Sequence, residues 1–139
     1  MVEREHSKKA SPDNGRIIVM EEENSLRNLI EKILTKKGFE VACAKDGAEA
    51  VELYRSAKAL NHSFNAVILD LTVTFGMGAK ESIKHLIEID PGVKGIVSSG
   101  YAYDDVIVNY SKHGFRGAIT KPFTMHDLMT TVNETIENG

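Results

Sequence analysis

Five short strand-like runs recur along this chain, and the segments between them carry apolar residues at helical spacing. The runs fall at 16–20, 40–44, 66–70, 94–98 and 117–120. Each is too short for an ordinary helix and is bounded by polar or turn residues. Between the first two, at 25–37, Leu26, Leu29, Ile30, Ile33 and Leu34 repeat with the helical period, and Gly38 supplies a stop. Asp46 is placed to cap a helix carrying Val51, Leu53 and Tyr54. Residues 79–89 form the third helix, with Ile83, Leu86 and Ile87 inward, closed by Asp90-Pro91-Gly92. At 104–113 the Val106-Ile107-Val108 run favours strand by propensity, but its place in the alternation predicts helix. Thr124, paired with Asp127, caps a last helix whose Leu128, Met129, Val132 and Ile136 face inward.

Strict alternation with short loops predicts an α/β domain: a five-stranded parallel sheet with helices on both faces. The runs at 16–20 and 66–70 are the most uniformly apolar, as central strands buried on both sides should be. Residues 1–15 are polar and end in Ser11-Pro12-Asp13-Asn14-Gly15, which reads as a tail or linker, leaving 16–139 as the domain. No repeat, low-complexity block or second domain is expected.

Composition narrows the function. With 139 residues and 42% apolar content the chain suffices for one core. A net charge of -3 leaves no broad basic footprint, so direct nucleic-acid binding is not expected. No run approaches the ~20 apolar residues of a membrane span, so this domain should not insert into a bilayer. The N-terminus lacks the apolar stretch of a secretory signal, and Cys43 is the single cysteine, so no internal disulfide forms. A cytoplasmic domain is the expectation.

The chemistry gathers where the strands end. Glu21, Glu22 and Glu23 follow the first, Asp70 ends the third, and Lys121-Pro122 follows the fifth. In a sheet ordered 2-1-3-4-5 the ligand crevice opens between strands one and three, at their C-terminal ends. Carboxylates gathered there repel one another unless a cation lies among them, and Mg²⁺ suits such a set. Alternatively, Glu21 to Glu23 simply complement the N-terminus of the next helix, Lys121 is a surface lysine, and Ser99 is a turn serine before Gly100.

Taken together, these residues resemble the receiver domain of two-component response regulators. The resemblance spans Arg16 to about Ile136 and rests on Glu21-Glu22, Asp70, Gly78, Ser99-Gly100 and Lys121-Pro122-Phe123, in that order. It implies a flavodoxin-like doubly wound (βα)5 fold. Asp70 would be the phospho-acceptor, loaded from a histidine kinase or a histidine phosphotransfer domain. Glu21, Glu22, Asp70 and the backbone carbonyl of Thr72 would hold Mg²⁺. Ser99 would be the switch hydroxyl and Lys121 the phosphate-pairing lysine. Such a domain is a signalling acceptor that catalyses only its own phosphorylation and dephosphorylation. The segment from Asp70 to Gly78, with Ser98-Ser99-Gly100-Tyr101, looks most like receivers of hybrid sensor histidine kinases, which suits a domain tethered to a membrane sensor. No output module is expected after the last helix. The resemblance leaves a homodimer open.

Three departures from the family pattern stand out. Receivers usually carry an Asp in the acidic pair, whereas Glu21 and Glu22 are longer by about 1.5 Å, one C–C bond. The proline usual four residues after the acceptor is Thr74, and the aromatic usual three before the lysine is Ala118. Those departures keep a degenerate, phosphorylation-independent binding module in view. A haloacid-dehalogenase-like phosphatase would need an acid/base Asp where Thr72 stands. A flavodoxin-like cofactor binder would need a Gly-rich phosphate loop where the three glutamates stand.

Overall fold

The computed structural model describes residues 14–138, so the expected tail lies, apart from Asn14 and Gly15, outside the described residues. Five strands form one sheet: β1 (Gly15–Met20), β2 (Phe39–Ala44), β3 (Ala66–Asp70), β4 (Gly95–Ser99) and β5 (Gly117–Thr120). All neighbours are parallel and the order is β2-β1-β3-β4-β5, the expected one. The helices are α1 (Asn24–Lys36), α2 (Gly47–Ala59), α3 (Ala79–Ile89), α4 (Asp105–Val108) and α5 (Met125–Asn138), with a 3-10 turn at Tyr110–His113. No helix among the described residues is long and apolar enough to cross a membrane.

Side-chain alternation along the strands builds two cores. Ile18 and Met20 of β1 join Val67 and Leu69 of β3 on one face, under α2, α3 and α4. Ile17 and Val19 join Ile68 and Ile96 on the other, under Ile30 and Leu34 of α1 and Leu128 and Val132 of α5. The central strands are therefore apolar through 17–20 and 66–69 because both of their faces are covered.

The expected caps are present. Asp46 Oδ1 accepts from the Glu49 N–H at 3.0 Å. Thr124 and Asp127 form a reciprocal box, with Asp127 N–H donating to Thr124 Oγ1 at 3.0 Å and Thr124 N–H to Asp127 Oδ2 at 3.1 Å.

Three expectations change. Strand β4 begins at Gly95 and runs through Ser99, because Ser99 pairs with Thr120 of β5. Gly95 is needed there: a Cβ would come within 2.7 Å of Ile83 Cδ1 on α3. The segment 104–113 is not one helix. Asp104 caps a single turn through the Val106 N–H, and after Asn109 (φ -114°, ψ 44°) the chain continues as the 3-10 turn. Three β-branched residues in a row give this helix little propensity of its own. Leu29, counted in the apolar repeat of α1, is 53% exposed.

One polar contact ties α2 to the end of α3. The Tyr54 hydroxyl donates to Asp90 Oδ2 at 2.7 Å, and Lys58 lies 3.8 Å from the same oxygen. That hydroxyl is the main reason the Asp90 pKa lies below the ordinary carboxylate value; burial opposes it, and the Gly92 N–H and Lys58 add to it. A depressed folded-state pKa contributes stability above the unfolded value and loses it as pH falls through the folded one. Tyr54→Phe should therefore cost about 1–2 kcal/mol near neutral pH. The difference from wild type should shrink below about pH 4. Urea unfolding of both proteins across that range checks it.

Candidate functional site

Register brings the strand ends level. Met20 pairs with Leu69, so Glu21, the next residue, lies beside Asp70 at the C-terminal mouth of the sheet. Two strands across, Lys121 follows β5, its N–H donating to Ser99 O at 2.8 Å. Its Lys121–Pro122 peptide is cis. Reaching Asp70 means crossing β4, roughly 9.5 Å of sheet width, which only a long side chain achieves.

The Lys121 ammonium lies 2.9 Å from Glu21 Oε1 and 3.2 Å from Asp70 Oδ1. Both carboxylates are almost fully enclosed, Glu21 at 3% exposure and Asp70 at 1%. An aspartate at position 21 would stop about 1.5 Å short of the ammonium. Glu21 Oε2 accepts from the Glu23 N–H at 3.0 Å, and Arg27 donates to the Glu21 carbonyl at 2.8 Å. Glu21 Oε1 is held by the ammonium's charge, for it accepts no well-directed hydrogen bond among the described residues.

Asp70 is fixed through one oxygen. Thr72 N–H and Thr72 Oγ1–H donate to Oδ1 at 3.0 and 2.9 Å, and Lys121 completes the set. Among the described residues no hydrogen bond ends on Oδ2.

Electrostatics separate the two acids. Burial pushes the Glu21 pKa up, and the Lys121 and Glu23 donors only partly reverse it, while the neighbouring Asp70 charge adds to the rise. Burial would raise Asp70 too. It is outweighed by the Thr72 N–H, the Lys121 charge and the Thr72 hydroxyl, so Asp70 ends below the ordinary value. Burial also opposes charge on Lys121, but its two carboxylates more than restore it and its pKa rises.

The expected three-carboxylate cluster does not form. No group of three acidic, histidine or cysteine side chains among the described residues is arranged to hold a metal. Glu22 lines the same cleft as Glu21, Asp70, Thr72 and Lys121, but its carboxylate accepts from the Thr74 N–H. Ser99 is fully buried and its hydroxyl accepts from the Tyr101 N–H at 3.1 Å. The structure thus gathers Glu21, Asp70, Thr72 and Lys121, keeps Glu22 at the rim, and turns the Ser99 hydroxyl to its own loop. The Thr72 hydroxyl and N–H were not singled out from sequence, although Asp-x-Thr is the spacing of a side-chain-capped turn. Cys43 plays no part: burial and the nearby Glu31 push its thiol up to about 11.

The sequence pattern of the response regulator receiver domain matches residues 17–133. The chain belongs to that family. Receivers work in two-component signalling by accepting a phosphoryl group. Chemotaxis protein CheY of Thermotoga maritima is 31% identical over 86% of this receiver and 95% of its own length. Sensor kinase CckA of Brucella abortus is 29% identical over 87% of the chain, a stretch that makes up 12% of that kinase. Relatives thus include CheY proteins and kinases that contain receiver sequence. Among solved structures, the receiver domain of a Pseudomonas aeruginosa sensor histidine kinase superposes with a TM-score of 0.77 at 18% identity, covering 89% of this chain and 98% of that one. That structure holds a magnesium ion in its active-site cleft, and at this identity it attests the fold.

The oxygens of this receiver fit a hard cation: Glu21 Oε1 lacks a directed donor, and Asp70 Oδ2 is free on the cleft side. Replacing Lys121 by Met leaves two buried carboxylates without their counter-ion. The cost should be about 3 kcal/mol near neutral pH. Protonation of Glu21 then relieves the repulsion. The folded state binds protons more tightly than the unfolded one, so stability of the variant should rise as pH falls toward about 5. A flat denaturation profile for Lys121→Met over that range would contradict the charge arrangement.

Proposed function

We propose that Asp70 is the phospho-acceptor of this receiver, taking its phosphoryl group from a histidine of a partner kinase or phosphotransfer domain. The observation that carries the reading is the asymmetry of Asp70. Three donors within 3.2 Å hold Oδ1, while Oδ2 is left as an ionised, unencumbered nucleophile. Oδ2 attacks phosphorus, the P–N bond to the donor histidine breaks, and that nitrogen keeps the electron pair. Lys121, already beside Oδ1, pairs with an oxygen of the arriving group. Glu21, Asp70 and the Thr72 carbonyl would hold Mg²⁺, which when bound neutralises charge on the phosphoryl oxygens. Water attack on the resulting acyl phosphate returns free carboxylate and phosphate, so the receiver also resets itself. The setting that fits this chemistry is the cytoplasmic side of a signalling pathway.

Incubation with acetyl phosphate and Mg²⁺ should add one phosphoryl group by intact mass, absent in Asp70→Asn. Equal labelling of both proteins would dismiss Asp70. No labelling of either would favour a phosphorylation-independent binding module.

Output follows from Ser99. A phosphoryl oxygen on Asp70 attracts the Ser99 hydroxyl proton, a charge-assisted bond that rearranges the Ser99–Tyr101 turn. Ala118 offers no aromatic side chain to swing, so the change passes to the exposed Tyr101 and Tyr103 loop and to the one-turn helix α4. Beryllofluoride should shift backbone resonances of 99–113 more than those of 125–137. Silence in 99–113 with large changes in the last helix would rule out this route.

A further inference from the structure

The loop between β3 and α3, residues 71–78, is held at both ends by contacts that do not involve Glu22. At its start, Thr72 is bonded to Asp70 Oδ1 by its N–H and hydroxyl. At its far end, Gly47 N–H donates to Met77 O at 2.8 Å. There Gly76, at φ +86°, packs so tightly on Asp46 that a Cβ would meet Oδ2 at 2.7 Å. The stretch between is Val73 to Phe75, next to Thr72, which lines the cleft. Among the described residues the side chain that bonds its backbone is Glu22, through the Thr74 N–H.

That bond has two chemical requirements. Residue 74 must have an N–H, which proline lacks. Residue 22 must carry a carboxylate on an arm long enough to leave its own turn and meet a residue 52 positions away. Glu at 22 and a non-proline residue at 74 are two departures from the receiver pattern, and they meet in a single hydrogen bond. Where a proline would stiffen the loop covalently, this chain stiffens it from outside. The acid so used is one that the sequence pattern assigns to metal.

We infer that Glu22 is a positioning residue. Its carboxylate tethers the β3–α3 loop through the Thr74 N–H, and a divalent cation gains Glu22 as a ligand only by releasing that loop. The second half rests on the Mg²⁺ reading of the preceding section; the first does not. Cation binding and loop order are thereby opposed in this receiver.

Two measurements separate the halves. In EDTA-treated, ¹⁵N-labelled protein the Thr74 amide should exchange with solvent about tenfold more slowly in wild type than in Glu22→Ala. Equal rates overturn the tether whatever the metal does. Mg²⁺ titration by calorimetry then compares Thr74→Pro, which removes the donor, with Thr74→Ala, which keeps it. Thr74→Pro should bind about threefold or more tightly than wild type, and Thr74→Ala about as wild type, because only the first frees Glu22. Equal affinities in the two Thr74 variants overturn the competition between loop and cation. If Thr74→Pro does not fold, Glu22→Ala decides in its place. Competition predicts that it binds Mg²⁺ within about twofold of wild type, since a ligand that must first be freed contributes little net affinity. A loss of about tenfold or more would make Glu22 a standing ligand. If no protein binds Mg²⁺, the metal reading fails and the exchange result still stands on its own.

Discussion

Two carboxylates buried side by side at the mouth of a parallel sheet can both stay ionised only with a positive charge between them. Lys121 supplies it, 2.9 Å from Glu21 and 3.2 Å from Asp70. The position of that ammonium depends on most of the fold. It requires β1 and β3 to be neighbours, their ends to be level, and β5 to lie close enough for a lysine to span β4. The two apolar cores fix that geometry from both sides of the sheet, so their packing serves the site as much as stability.

The same contact divides the labour between the acids. Burial works against charge on both, and it raises Glu21, while the donors around Oδ1 outweigh it at Asp70. The phospho-acceptor role proposed for Asp70 needs that ionised state, since a protonated carboxyl is a poor nucleophile. Thr72 contributes twice to it, through its N–H and its hydroxyl. At the position where a phosphatase would carry an acid/base carboxylate, this chain carries a clamp, which belongs with acceptance of a phosphoryl group more than with rapid turnover.

Mobility is expected where packing is thinnest. Helix α4 is one turn long, is followed by a 3-10 turn, and exposes Val108 at its end. The segment follows the loop after Ser99, whose hydroxyl accepts from the Tyr101 N–H in that loop. Elements with few buried contacts are the ones a small rearrangement at a site can move. In the β3–α3 loop, by contrast, Glu22 supplies order that a proline would otherwise provide.

The sheet, its order, the caps at Asp46 and Thr124, and the gathering of Glu21, Asp70 and Lys121 were all legible in the residues themselves. Strand identity and capping are written in neighbours a few positions apart, and a parallel sheet places strand ends on one edge by topology alone. For 104–113 the alternation outweighed β-branched propensity and predicted one helix, where the structure has a single turn followed by a 3-10 turn. The sequence did not show that Glu22 reaches the Thr74 N–H, and it counted the exposed Leu29 in the apolar repeat of α1. It also could not foresee that Ser99 turns its hydroxyl to Tyr101. These depend on where flexible or marginal groups find their best contact after the chain has closed. Glu22 meets a backbone N–H 52 residues away, and a long side chain with several low-energy rotamers takes its direction from such distant partners, not from its sequence neighbours. Sequence alone therefore determined which groups stand at the mouth of the sheet; only tertiary structure decided which of them face one another.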